Sequence, residues 1–375
     1  MPPQEKVLQH EHKRILFLCN HFISLYAFRL ELITRLLNEG HDVYISIPES
    51  PDDKCFVDLG CRMLPVPMDR RGVNPVNDIK TITAYFALLR KVKPNIIFSY
   101  TIKPNIYGSF VSNILGYKQV CNITGTGATF LKDNFISRIA TILYRLSVKH
   151  CYKVFFQNDG DKDLFLKRKM VGNNWEVLPG SGVNLSRFKV IEFPPDDEIA
   201  FIFIGRVFKV KGIDQYLEAA RIIKGRHSNV VFYIAGWIEE KQYEAKISEY
   251  EKGGFVKYAG FQKNIADWIQ KCQCTILPSL GGEGVPNSLL ETAASGRVCI
   301  ASDIPGSKNI VDEGVTGYLF EAGNAESLVS KIEEFLKLDR ESRKTMGLKG
   351  REKVEREFDR EIVIQKYLDE VHSIK

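Results

Sequence analysis

At 375 residues the chain is longer than one ordinary hydrophobic core and suits two domains, and its 44% hydrophobic and 26% charged residues are those of a soluble globular protein. The net charge of +6 is uneven: residues 1–190 carry 26 Lys and Arg against 16 Asp and Glu, and residues 191–375 carry 26 against 30. A basic first half suits an anionic surface or a phosphorylated substrate, whereas its dispersed cations carry no nucleic-acid signature, so nucleic acid is not an expected partner.

After the polar start Met1 to Arg14, the apolar run Ile15 to Cys19 is too short for a signal-peptide core or a membrane span, and no later run reaches spanning length. The eight cysteines contain no Cys-x-x-Cys pair and mostly sit in apolar runs, which points to free thiols in a reducing cytoplasm. From Arg14 to about Leu338 short apolar runs alternate with helix-length amphipathic stretches, the rhythm of βαβ units and parallel sheets. The first half predicts strands at 14–19, 42–47, 62–66, 95–99, 119–123, 153–157 and 175–178, with helices at 27–38, 77–91, 104–115 and 136–149. Val190 to Glu198, with two adjacent prolines and solvent-seeking carboxylates, reads as a linker. A second series of strands follows at 199–204, 230–235, 255–258, 274–277, 298–301 and 318–320, and a polar helical tail closes it at about 340–374. The expected domains are 1–189 and 199–355, joined by the linker 190–198, with a helix at 356–375 closing the chain. Ligands of such α/β domains bind at the carboxyl ends of the strands, here in the cleft between two sheets.

The sharpest motif is GGEGVPNSLLE, Gly281 to Glu291, directly after the apolar strand CTILPS. Glycines let backbone approach a ligand, Pro286 suits a first helical turn, and a helix starting near Asn287 points free N–H groups and its dipole at diphosphate oxygens. Gly284, Val285, Pro286, Asn287 and Ser288 would line that tip. Glu283 precedes the helix and Glu291 lies roughly 6 Å of rise inside it, so one carboxylate can meet a sugar and the other a ribose. The plain alternative is one helix-favouring and one solvated glutamate. FIGRVFKVKG, 203–212, places Arg206 and Lys211 in a loop at a strand's carboxyl end, where cations stabilise a departing diphosphate.

GRVFKVKG and EGVPNSLLE, in that order and about 75 residues apart, resemble the signature of the retaining family 4 glycosyltransferases, and the likeness extends over nearly the whole chain. The resemblance implies a GT-B fold, two Rossmann-like doubly wound domains across a cleft, the first (1–189) binding the acceptor, the second (199–355) the nucleotide sugar, and the helix at 356–375 packing back on the first. It also implies that Glu283 faces the donor sugar, Glu291 binds the ribose, and Arg206 and Lys211 hold the diphosphate. PGSGVNLSRF, 179–188, is similar to the family's stretch before the linker, and Gly260 precedes a loop that in relatives borders the base. The first domain resembles bacterial transferases of surface polysaccharides and lipid-linked oligosaccharides, through SYTIKPNIYGS and NITGTGATF. Where many members have a histidine near the reacting sugar, this chain has Ile102 and then Lys103, so no catalytic histidine carries over. Lys103 can engage an acceptor phosphate or be structural, and Thr124 and Gly125 would line the same cleft. His21 and Arg29, in and after the loop following the first strand, stand where relatives receive the acceptor. The implied partners are a nucleotide-sugar donor, UDP favoured, and a lipid-linked or saccharide acceptor; no cofactor and no metal ion are expected.

Asp159-Gly-Asp161 spells a metal-binding Asp-x-Asp, but it adjoins a helix expected near Asp161, where aspartate is a favoured cap. Gly125-x-Gly127 lacks the third glycine of a dinucleotide fingerprint and follows the fifth strand. Residues 135–150 place apolar side chains at helical spacing with Arg138, Arg145 and Lys149 among them; such a helix packs on its sheet or rests on an anionic membrane. Rival functions are a nucleotide-sugar epimerase, a noncatalytic sugar-nucleotide sensor and an NAD-linked oxidoreductase.

Overall fold

The computed structural model describes residues 11–374 except 70, 71, 73 and 132, so Met1–His10 of the polar start lie outside the described residues. The first sheet is built from β1 (Arg14–Leu18), α1 (Phe22–Asn38), β2 (Asp42–Ser46), α2 (Lys54–Asp58), β3 (Arg62–Met63), α3 (Pro75–Val92), β4 (Ile96–Tyr100), α4 (Ile102–Leu115), β5 (Gln119–Ile123), α5 (Phe135–Leu146), β6 (Lys153–Phe156), α6 (Asp159–Lys167) and β7 (Trp175–Val177). All its pairings are parallel and the order is β3-β2-β1-β4-β5-β6-β7. Every residue of the central strands β4 and β5 is buried, because helices cover both faces of a parallel sheet; continuous apolar runs rather than alternation mark such strands.

The second sheet takes β8 (Ile199–Ile204), α7 (Ile213–Arg226), β9 (Val230–Ala235), α8 (Gln242–Lys252), β10 (Lys257–Gly260), α9 (Ala266–Lys271), β11 (Cys274–Leu277), α10 (Asn287–Ala294), β12 (Val298–Ser302), α11 (Pro305–Lys308), β13 (Gly317–Phe320) and α12 (Ala325–Lys337). It too is all parallel, in the order β10-β9-β8-β11-β12-β13. β1 and β4 are neighbours in one sheet, and β8 and β11 in the other, where strand order reverses. Loops leaving these strands therefore line the cleft.

Several boundaries differ from the sequence reading for local reasons. α1 starts at Phe22, five residues early, because the His21 ring accepts the Ile23 N–H and caps it. β3 pairs over two residues only, at the sheet edge. The polar tail is two helices, α13 (Arg340–Glu357) and α14 (Arg360–Ser373), broken where Asp359 accepts the Glu361 N–H. α14 leaves the second domain and buries Val363, Ile364, Tyr367, Leu368 and Val371 in the first domain's core. The linker is not wholly solvated: Arg297 lies against Phe193 and donates to the Ile191 and Glu192 carbonyls, and Asp196 pairs with Arg343 at 3.1 Å.

Candidate active site

Adjacent strands β8 and β11 bring the Arg206–Lys211 loop against the Gly281–Val285 loop, with the Leu280 N–H donating to Val210 O. Lys211 Nζ lies 2.6 Å from Glu283 Oε1, and the buried Ser279 hydroxyl donates to the same oxygen at 2.7 Å. Burial pushes the Glu283 carboxyl up, but Lys211, Ser279 and the nearby Arg206 outweigh it and hold the group below the usual carboxylate range. Arg206 itself pairs with Glu239 at 2.7 Å and lies over the Phe208 ring at 4.9 Å. Three of the four charged residues singled out in the sequence thus share one corner of the cleft.

Glu291 has different charged neighbours. α10 starts at Asn287 with Pro286 as the residue before it, extended at ψ 116°, so the proline is a cap residue and not the first helical one. Asn287 and Ser288, half-buried, open the helix, while Val285 and Pro286 are buried beneath. One turn on, the half-buried Glu291 carboxyl is pushed up to about 7 by burial, with Arg187 and Arg360 pulling the other way.

The first domain closes directly on the glycine-rich loop. Gly127 N–H donates to Gly282 O at 3.0 Å, and a Cβ on Gly125 would stand 2.6 Å from Gly282 O. Gly284 likewise has no room: a Cβ there would lie 2.2 Å from Gln157 Oε1 and 2.8 Å from Thr124 O. Thr124 and Gly125 therefore lie at the cleft, where their backbone packs against the loop. The Asp-x-Asp is part of this contact. The cap of α6 is Asn158 rather than an aspartate, its Oδ1 accepting the Asp161 N–H at 2.8 Å. Its Nδ2 donates to Asp161 Oδ2, Glu283 O and Gly284 O. Burial raises the Asp161 carboxyl to about 6, hydrogen bonds from Asn158 and Thr126 oppose it, and Glu283 adds to the rise.

Of the acceptor-side residues, His21 faces the cleft, sharing a pocket of about 280 Å³ with Ile23 and with Trp237 and Phe261 of the second domain. Gly260, at φ +68°, turns the chain into that Phe261 and accepts the Gly236 N–H. Arg29 does not reach an acceptor. It is buried, its guanidinium 4.9 Å from the Tyr100 ring and 5.3 Å from Tyr367, and it donates to Phe28 O. The two tyrosines stabilise a cation that burial has largely desolvated. Lys103 is also engaged elsewhere: its ammonium lies 2.6 Å from Asp78 Oδ1 on α3, in a largely buried pair. That pair, and not an acceptor phosphate, is the partner the structure gives this lysine.

Gln157, Asn158 and Glu239 escaped the sequence reading because their partners lie on other strands or in the other domain; Ser279 escaped it although Glu283 is only four residues on, because a single serine after an apolar strand carries no signal of its own. Thr101 escaped it too. At φ 72° and ψ 162° it holds a backbone conformation suited to glycine, at the carboxyl end of β4 beside the cleft; such strain collects at functional sites.

Residues 186–353 match the family Glycosyl transferases group 1, and residues 14–158 match Glycosyl transferase 4-like. A Campylobacter jejuni relative, N,N'-diacetylbacillosaminyl-diphospho-undecaprenol alpha-1,3-N-acetylgalactosaminyltransferase, is 25% identical over 373 residues, covering 95% of this chain and 97% of its own. The Escherichia coli UDP-Gal:alpha-D-GlcNAc-diphosphoundecaprenol alpha-1,3-galactosyltransferase is 24% identical over 327 residues, 83% of this chain and 82% of its own. Among solved structures, Anabaena HepE in complex with UDP and glucose superposes at a TM-score of 0.80 with 15% identity, covering 96% of this chain and all of that one. With residues 14–158 matching one glycosyl transferase model, residues 186–353 matching another, and two facing sheets of a GT-B fold, the chain is a glycosyltransferase of GT-B type with a 4-like first domain and a group 1 second domain.

Proposed function

We propose that the enzyme transfers a hexose or N-acetylhexosamine from a nucleoside diphosphate sugar, UDP favoured, to a lipid-diphosphate-linked or saccharide acceptor in bacterial polysaccharide synthesis, with retention of configuration and without a metal ion. The observation that carries this reading is the Lys211–Glu283 pair beside Arg206 in the loops that meet at the α10 tip. Arg206, Lys211 and the first N–H groups of α10 receive the diphosphate. Glu283 orients the sugar, and Glu291 accepts from the ribose hydroxyls. The C1–O bond to the diphosphate breaks as the acceptor oxygen joins C1 on the same face. The acceptor's proton passes to the departing diphosphate oxygen, so no protein nucleophile is used. Closure of the two domains excludes water that would hydrolyse the donor. The names of the two bacterial relatives support the acceptor class.

The acceptor class also gives meaning to α5. Its inner face is Ser137, Ala140, Thr141 and Tyr144, and its outer face is Phe135 (76% exposed), Ile136, Ile139, Ile142 and Leu146 (64%). That is the reverse of a helix packed on its sheet by its large apolar residues. Exposed Arg138, Arg145 and Lys149 accompany this face, which suits an anionic membrane where the lipid-linked acceptor resides. Among the described residues no helix is long and apolar enough to cross a membrane. The protein accordingly works at the inner surface of the cell membrane.

Calorimetry with UDP tests the donor site. Arg206→Ala should weaken binding about tenfold or more, the worth of one charge-assisted hydrogen bond. Unchanged affinity in that variant would remove the basis of the reading, and a product with inverted anomeric configuration by NMR would refute retention.

A further inference from the structure

Residues 281–285 are held from both domains. From the second domain come Lys211 and Ser279, which grip the Glu283 carboxylate. From the first come bonds to the backbone on either side of that residue. Gly127 N–H donates to Gly282 O, Gln157 Oε1 accepts the Val285 N–H at 3.3 Å, and Asn158 Nδ2 lies 3.1 Å from Glu283 O and 3.3 Å from Gly284 O. Asn158 is 1% exposed. Its amide has two N–H groups for three acceptors, the third being Asp161 Oδ2 at 3.0 Å, so one N–H is shared by the two successive carbonyls. Ionised Asp161 orients the amide, and the Asn158 Oδ1, committed to the α6 cap, prevents it from flipping. The arrangement leaves one backbone course for the loop, because Gly125 and Gly284 admit no side chain between the domains.

We propose that Asn158, with Gln157 beside it, is a positioning residue for Glu283. The β6–α6 turn of the acceptor-side domain fixes the backbone of the donor loop, so Glu283 has its working orientation only while the two domains are closed. This rests on the reading of Glu283 as the carboxylate that faces the donor sugar. Its functional content is a coupling. Opening of the cleft withdraws the turn from the loop, and the donor is then bound by the second domain alone with the glutamate no longer aligned. Transfer waits for the acceptor domain to arrive, and hydrolysis of donor in the open form is suppressed.

Asn158→Ser keeps a side chain able to cap α6 but too short to reach the two carbonyls. Gln157→Leu removes the acceptor for Val285 with little change of volume. For both, the expected result is a kcat at least about tenfold lower, the cost of misplacing a reacting group by a fraction of an ångström. The dissociation constant for UDP should stay within about twofold, since its contacts belong to the second domain. Hydrogen exchange of the 281–285 amides in the UDP complex should be faster than in the parent. Glu283→Gln serves as reference. If Glu283→Gln loses turnover while both other variants keep the parental kcat, the positioning role is wrong. Should kcat, UDP affinity and melting temperature all fall together, Asn158 is merely structural, and the proposal is equally overturned. Retained turnover in Glu283→Gln would instead overturn the role of Glu283, and the exchange rates alone would then decide whether Asn158 holds the loop. If Asn158→Ser does not fold, Gln157→Leu decides.

Discussion

Glu283 and Glu291 are separated by seven residues in a single motif, yet their surroundings push them in opposite directions. Glu283 is clamped by Lys211 and Ser279 and stays ionised, whereas at Glu291 burial outweighs Arg187 and Arg360, and the carboxyl rises to about 7. The sign of the consequence follows from linkage. Between the ordinary value of 4.5 and about 7 the folded chain holds a proton at Glu291 that the unfolded chain gives up, so stability from this group falls as pH rises through that window. Glu291→Gln should therefore melt higher than the parent at pH 8, by about 3 °C for a chain of this size, and equally at pH 4.5. In the proposed donor complex the ribose hydroxyls donate to the ionised form, so UDP affinity should rise with pH through about 7 in the parent. Calorimetry at several pH values should find that part of the rise missing in Glu291→Gln, leaving only the nucleotide's own titration.

At the scale of elements, the periodicity that located α5 also hid its orientation. Apolar spacing establishes that one stripe is shared, but whether the stripe faces the sheet or the outside depends on what the neighbours leave room for. Here Ser137, Ala140 and Thr141 are small enough to let α5 lie close to the domain, and the Phe135–Leu146 stripe turns outward. Replacement of Ile139 and Ile142 by Asp tests the proposed membrane contact. Co-sedimentation with phosphatidylglycerol vesicles should drop at least about tenfold, because two buried branched side chains are lost from the lipid phase. Transfer to a short water-soluble acceptor should be kept, and the melting temperature should move by about 1 °C or less since both positions are exposed. Vesicle binding equal to the parent's would dispose of this contact.

For the whole molecule, α14 is the element that makes two domains into one closed body. It follows α13 on the second domain, yet Tyr367 sits fully buried in the first. Its ring lies 5.1 Å from Phe98 and 5.3 Å from Phe155, over Arg29, with its hydroxyl on Asn122. Tyr367→Ala removes this packing and exposes Arg29 to a cavity; losses of about 3–5 kcal/mol attend such truncations of large buried rings. Scanning calorimetry should show a transition of the first domain at lower temperature, and UDP should raise only the other transition. A single transition that shifts as one unit would mean that the Tyr367 anchor of α14 is not what couples the two domains.

Much of the architecture was legible in the order of residues because a parallel sheet buries each strand on both faces. Strand after strand then appears as an unbroken apolar run, and the alternation of runs with amphipathic stretches is local information. Glu283, Lys211 and Arg206 were legible for a similar reason: they lie in two short motifs after strands, and adjacent strands bring such loops together. Other features depended on contacts more than a hundred residues apart along the chain, which no spacing encodes. Asn158 reaches a loop 125 residues further on, and Tyr367 a core strand 245 residues back. Arg29 and Lys103 had the chemistry for an acceptor phosphate, and only the packed structure showed the tyrosines and the aspartate that had already claimed them. Residue type sets what a side chain is able to bind; the fold decides which partner arrives first, because a buried charge takes whatever compensation the surrounding elements bring within reach.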